Sequence, residues 1–531
     1  MKNIRWWFAG IALISAWLLD ALFWMSATGV NVLIWFAVIL VGGFVLAAVN
    51  RVRPATASYF LAVVILLLAA VPLLRLEDMT RGLSFLLAIA LLFPLASTFT
   101  GGGWWLLGIE DHLGGFFRTA GAALTRPLNL FRKQPAPQPV ENAGENTAPA
   151  KKSGQGAAVL RGLLLALPIV VVLGALLASA DPIFNDRLAS IFVNFDVARL
   201  VEYGFRLAYI LVLAYAFTGV YLHAILPDHL STPTEPEKSF LKPFLGWIEA
   251  LVVLVCVDLL FAVFVIIQFQ YFFGGQAKIT AAGYTYSEYA VRGFNELVTV
   301  AVLSLLLTLV LGRFTKRATV TQQRGFSAVA TVLIALVLVM LVSAFQRLQL
   351  YEEAYGFTEL RTYTHFFIPW LGALLVAAAG LEISRRSRFF AAALLACALG
   401  FVFTLAIINV DAFIVHQNVT RAMQGKDLDG AYFAELTMDA VPALVDELKR
   451  PDLPETAVNE INAELACRAA WLKEQPLTAW QSFTTSGDTA RALLLAPDAP
   501  WAGVIVYKEY SEFKVKPNGE ERYCSGYRYF D

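Results

Sequence analysis

Charge is what this sequence has least of. Only 15% of its 531 residues are charged, and 41 basic residues balance 41 acidic ones. A soluble domain carries about 25% charged residues, so water is excluded as the main solvent. The zero balance also leaves no global field that would hold a nucleic acid. Histidines number five and cysteines four. No HExxH, CxxC, GxSxG or phosphate-loop segment occurs, which removes the motif-based cases for a zinc hydrolase, a redox dithiol, a serine hydrolase and an NTPase. No metal or cofactor is expected. Fixed-period repeats and heptad runs are absent as well.

What is abundant is apolar length: 58% of residues are hydrophobic. A helix needs about 20 apolar residues to cross the hydrocarbon layer, and eleven stretches meet that ruler: 6–25, 30–49, 57–74, 82–100, 159–180, 204–226, 244–268, 293–311, 325–344, 365–381 and 389–409. The first follows Lys2 and Arg5 like a signal peptide but has no small-residue cleavage site, so it reads as a retained anchor. Lys and Arg favour cytoplasmic loops. With the N-terminus inside, the inner segments hold twenty of them and the outer loops nine. An odd number of crossings then places the last 120 or so residues outside, in the periplasm of a bacterial inner membrane.

The expected fold is an all-α polytopic membrane protein of about eleven transmembrane helices with a small C-terminal α+β extracytoplasmic domain. Residues 1–100 form four helices, and 101–157 form a cytoplasmic interfacial segment followed by a Pro- and Gly-rich linker. Residues 158–409 form a seven-helix membrane domain, and 410–531 a periplasmic domain of helices and then a β-hairpin turning at Pro517, Asn518 and Gly519. Cys467 and Cys524, the two cysteines of the tail, either pair in an oxidising compartment or stay as thiols in a reducing one.

Three polar stretches fall on the outer side. TYSEYAVRGFNEL sets Glu288, Arg292 and Glu296 four residues apart, on one helical face, beside Tyr286, Tyr289 and Gly293. QRLQLYEEAYGFTELR carries Arg347, Tyr351, Glu352, Tyr355 and Arg361, with Gly356 suited to ending a helix and Thr358 to capping the next. The third, from Asn409 to Leu444, carries Asp411, Asn418, Arg421 and Asp439. Arg292 or Arg347 is expected to pair with an acid of the other stretch: Glu352 or Glu353 in one direction, Glu288 or Glu296 in the other.

These residues other than Glu352 and Glu353, together with Ala290, Phe294, Leu297, Leu350, Thr358, Leu360, Asn409, Ala412 and the run Ala440, Val441, Pro442, resemble bacterial polytopic membrane proteins grouped as domain of unknown function 4173, related to the group numbered 4153. The resemblance covers residues 181–444 and implies no activity. Val291, Val410 and Thr437 stand where that pattern usually has a basic residue, a proline and a serine.

Within or near the spans lie three acids, Asp20, Glu249 and Asp258, which should face the bundle interior. Arg206 is a candidate partner for Asp258. Three functions fit. The leading one is a non-enzymatic envelope scaffold or sensor, in contact with the lipid bilayer and an envelope protein, whose outer motifs hold the tail and present a binding surface. The others are a transporter using Asp258 and a membrane enzyme acting on lipid through Glu288, Glu296 or His365.

Overall fold

The computed structural model describes residues 2–131, 166, 181, 197–226, 243–272, 294–474, 479–509 and 512–524. Among these, ten helices are long and apolar enough to cross a membrane. They belong to α1 (Lys2–Phe23), α2 (Val30–Val49), α3 (Thr56–Leu74) and α4 (Asp78–Ser97), then α6 (Val197–Ile225), α7 (Trp247–Phe272), α8 (Phe294–Phe314), α9 (Val320–Tyr355), α10 (Glu359–Ile383) and α11 (Phe390–Ile408). Helix α5 (Ile109–Phe131) lies between α4 and α6 in the chain and packs on both. Its apolar residues Leu113, Phe117, Leu124 and Leu128 are exposed, as suits a helix lying at the headgroup level. The expected span at 159–180 lies, apart from residue 166, outside the described residues.

Two apolar cores organise the spans. One is built from α1 to α4 with α6, around Phe8, Phe36, Leu61, Ile65 and Leu68. The other joins α8 to α11 around Ala301, Val337, Leu341 and Leu375. Helix α7 packs on α9, yet leaves Val252, Leu259, Leu260, Val263 and Ile266 exposed. Side chains of that kind on an apolar helix face lipid tails, where burial gains nothing further.

Helix α9 departs most from expectation. The apolar run 325–344 becomes a helix of 36 residues, opened by a Thr319/Gln322 capping box and closed at Gly356. At 1.5 Å per residue it is about 54 Å long, against about 30 Å of hydrocarbon. Its polar last turns therefore stand clear of the lipid. A ruler that counts only apolar residues misses them because backbone hydrogen bonds carry the helix past its apolar part.

Asn409, at φ 58°, separates α11 from α12 (Val410–Met423). The tail continues through α13 (Val441–Glu447), α14 (Glu455–Glu474) and α15 (Thr485–Leu494) to three short antiparallel strands in the order β1 (Tyr507–Glu509), β2 (Glu512–Val515), β3 (Arg522–Tyr523). The register pairs Lys508 with Phe513 and Lys514 with Tyr523. The turn between β2 and β3 runs through Pro517–Gly519, where Asn518 and Gly519 both take positive φ. A disulfide joins Cys467 on α14 to Cys524, just beyond β3, with Cα atoms 5.4 Å apart.

The tail rests on one end of the bundle. Val30 N–H donates to Phe483 O at 2.9 Å, Ser482 Oγ to Ala27 O at 3.1 Å, and Thr485 Oγ1 to Leu73 O at 3.2 Å. The opposite end is held by charge pairs, Arg313 with Glu110 and Arg317 with Glu382.

Candidate functional site

The C-terminus of α9 leaves its last carbonyls without helical partners. Two arginines from the polar stretches fill them. Arg421 donates to Glu353 O at 3.1 Å and Ala354 O at 3.2 Å. Arg361 donates to Gly356 O at 2.6 Å while its guanidinium sits 3.9 Å over the Tyr351 ring. Cations at this end also complement the helix dipole. Burial first, and then the charge of Arg361, lowers the pKa of Arg421. Asn418 completes the joint by clasping the backbone of Phe357, whose N–H donates to Oδ1 at 2.8 Å and whose O accepts from Nδ2 at 2.9 Å.

Gly356 is required here twice over. Its φ is +83°, and a Cβ would lie 2.8 Å from both Arg421 Nη1 and Asn418 Oδ1. Only glycine meets both the conformation and the close approach.

Beside this joint lies a cavity of about 450 Å³, lined by Gln349, Glu352, Glu353, Phe357, His365, Phe413, Gln417, Thr420, Arg421 and Gln424. At its edge the buried Glu352 carboxylate faces His365 Nδ1 at 2.9 and 3.1 Å. That contact fixes the ring orientation and leaves Nε2 for another partner. Among the described residues nothing bonds Nε2. Aromatic rings hold the imidazole in place: Phe345 at 4.9 Å, Phe366 at 5.3 Å and Phe413 at 6.3 Å between centroids.

A second joint ties the tail to the α3–α4 connection. Asn409 donates from Nδ2 to Asp439 O at 3.1 Å. The Asp439 carboxylate accepts the N–H groups of Leu76 at 2.7 Å and Glu77 at 3.2 Å. Glu77 in turn caps α4 by accepting from Met79 N and Thr80 N, and the Tyr363 hydroxyl donates to it. Asp411, fully buried, accepts from Thr437 N at 2.8 Å and Oγ1 at 2.6 Å. Burial, and then the nearby Asp439 charge, pushes its pKa up to about 8. Burial raises that of Asp439 too. Arg468, also fully buried, donates to Thr437 O, Phe433 O and Leu436 O at 2.6 to 2.9 Å, and so sets the loop that presents Thr437.

Apart from Arg468, the residues of both joints lie within residues 61–447, the part of the chain matched by the profile of a family described as a domain of unknown function, DUF4153. The chain belongs to that family. No curated protein and no solved structure matches it. Of the two related groups, DUF4153 is the one the match establishes, and its description assigns no activity.

Within this DUF4153 chain, the second and third polar stretches meet. Tyr351, Glu352, Tyr355, Gly356, Arg361, Asn418 and Arg421 share the first joint, with Tyr351 and Tyr355 edge to face at 5.3 Å; Asp411 and Asp439 share the second. Of the first stretch, Tyr286, Glu288, Tyr289, Arg292 and Gly293 lie outside the described residues, and Glu296 is exposed in the first turn of α8. Arg347 is half-buried on α9. Glu352 is paired with His365, and Arg292, the arginine expected opposite Glu352 or Glu353, lies outside the described residues.

Two expectations for the ionisable span residues are corrected. Arg206 pairs with Asp20, not Asp258, at 2.6 Å; the hydroxyl of Tyr209 joins them, and the guanidinium lies 4.9 Å over Trp24. Two residues at matching depth on neighbouring helices meet before a more distant acid does. Glu249 is exposed and accepts Gly246 N–H at 2.9 Å, so it caps the start of α7 and does not face the interior. Asp258 keeps one buried carboxylate oxygen without a hydrogen bond among the described residues.

Sequence reasoning missed Glu77, Tyr363 and Arg468. Glu77 had a legible signal, an acidic pair just before an apolar run. Arg468, four residues after Glu464, reads as an ordinary solvated helix pair.

Proposed function

We propose that this DUF4153 protein is a non-enzymatic scaffold or sensor of the bacterial inner membrane, with its N-terminus in the cytoplasm and its tail in the periplasm. In this reading the polar stretches clamp the tail onto the bundle and leave a ligand cavity beside the clamp. The observation that carries it is the convergence of Gly356, Arg361, Asn418 and Arg421 on one helix end, next to that cavity. The excess of Lys and Arg on the opposite end and the Cys467–Cys524 disulfide favour the same orientation.

In-cell cross-linking followed by affinity capture should recover an envelope protein from the wild type and less from Asn418→Ala, whose tail should become protease-sensitive. Equal recovery from both, with the variant's tail released, counts against the clamp as a binding platform. Active alkaline phosphatase fused after Asp531 is expected; an inactive fusion would reverse the orientation.

A second reading, transport through the bundle, draws on the unbonded oxygen of Asp258. It requires solute or proton flux in reconstituted vesicles that Asp258→Asn abolishes.

A further inference from the structure

The cavity beside the α9 joint has a definite chemical character once its charged groups are traced. Glu352 is engaged by His365, and Arg421 is turned onto the carbonyls of Glu353 and Ala354. What remains for an occupant is the exposed carboxylate of Glu353 and a larger set of neutral groups. Among the described residues, the side chains of Gln349, Gln417, Thr420 and Gln424, all lining the cavity, bond no other part of the protein. Each glutamine amide offers two donors and a two-lone-pair acceptor, and Thr420 adds a hydroxyl. The unbonded Nε2 of His365 joins this set. Phe357 and Phe413, edge to face with centroids 5.6 Å apart, supply apolar wall. The volume lies within the about 300–1,000 Å³ typical of small-molecule sites.

Donor and acceptor pairs at side-chain spacing, with aromatic carbon beside them, match a ligand of alternating hydroxyl and C–H surface. An anion would meet the exposed carboxylate of Glu353, and a cation would meet Arg421. A neutral polyol meets neither penalty. The cavity borders Glu352, in the last turn of a helix that outreaches the hydrocarbon layer, so it is open both to soluble ligands and to lipid headgroups.

We propose that the Gln349, Gln417 and His365 side of this cavity binds a neutral polyhydroxylated group, either a free saccharide or the headgroup of a glycolipid. This rests on the reading of the cavity as a ligand site beside the clamp. The full chain in nanodiscs is titrated with neutral mono- and disaccharides, and separately prepared with a neutral glycolipid or with phosphatidylglycerol alone. Inorganic phosphate and acetate serve as anionic probes. Binding is followed by calorimetry and by the shift in unfolding temperature.

A saccharide or the glycolipid should bind and raise the unfolding temperature, and Gln417→Leu and Gln349→Leu should each weaken binding at least tenfold. Both positions lie outside the clamp, so the variants should keep the wild-type unfolding temperature without ligand. Response to sugars alone identifies the free saccharide, and response to the glycolipid alone identifies the headgroup. Binding of phosphate with no response to any polyol would overturn the inference. So would unchanged affinity in both variants, or no binding by the folded wild type. A tail that is protease-sensitive in the wild type would instead sink the clamp reading, so the two failures are told apart.

Discussion

The interior of the bundle and the joint at its tail end treat ionisable groups in opposite ways. In the interior, the Asp20 carboxylate meets the guanidinium of Arg206, itself over the Trp24 indole, and the phenol of Tyr209, so each of these partners is a side chain held by apolar packing. At the joint, arginines and acids are spent on main chain: Arg361 and Arg421 on the end of α9, Asp439 on the N–H groups of Leu76 and Glu77. The first arrangement neutralises a charge that cannot be hydrated. The second uses charge to fix the position of one element against another. A side-chain pair tolerates small shifts of its helices, whereas a backbone clasp does not.

That contrast can be broken most forcefully in the interior. Asp20→Ala leaves the half-buried Arg206 with only the longer contact to Glu202, at 3.4 Å, and removing one partner of a buried pair typically costs about 3–5 kcal/mol, the lower figure applying to this partly exposed cation. Urea or thermal unfolding in detergent should show the loss, and restoring it with Arg206→Leu in the same chain would confirm that the orphaned cation is responsible. A single variant as stable as the wild type would show that water already reaches Arg206.

At the joint, Gly356→Val tests whether the clasp is rigid. The backbone conformation alone should cost about 1–3 kcal/mol, with the clash against Arg421 and Asn418 added. Limited proteolysis should find the tail released while the bundle stays intact. An unaltered cleavage pattern would mean that the joint adjusts as easily as the interior.

A smaller effect separates the regions by pH. Asp411 has its folded pKa raised from 3.8 to about 8, so the folded state binds its proton more tightly than the unfolded chain does. Stability contributed by the neutral form is complete below about pH 4 and is lost as pH rises through about 8. Asp439, Glu359 and Glu77 face it and push the same way. Tail release should therefore increase from pH 5 to 8, and Asp411→Asn should flatten the profile. A pH-independent wild type would exclude a protonated Asp411.

The mildest test is Glu249→Ala, which removes one exposed cap and should cost about 0.5 kcal/mol. A loss several times larger would return Glu249 to the interior set.

Much of this architecture is legible in the sequence because hydrocarbon imposes a simple rule on length and polarity. Ten of the eleven apolar runs correspond to helices among the described residues, and Pro517, Asn518 and Gly519 form the turn they signal. The joints were half legible. Gly356 stood out as a residue that ends helices, and Asn418 and Arg421 as polar residues of the third stretch, yet nothing local says that Asn418 reaches Phe357, 61 positions away. The His365–Glu352 contact was hidden for the same reason, since a lone histidine near a span end has no periodic signature. Partner choice is decided by how helices stack, and stacking is a property of surfaces that no single segment contains.

The length of α9 has a mechanical consequence. At one end Ser327 Oγ donates to Glu382, whose other bond is to Arg317; at the other Glu352 borders the cavity. Proline is absent between them, so the helix is a stiff strut that joins the two compartments. The same unbroken helix thus carries Glu352, beside the cavity, and Ser327, at the Glu382–Arg317 pair on the far surface.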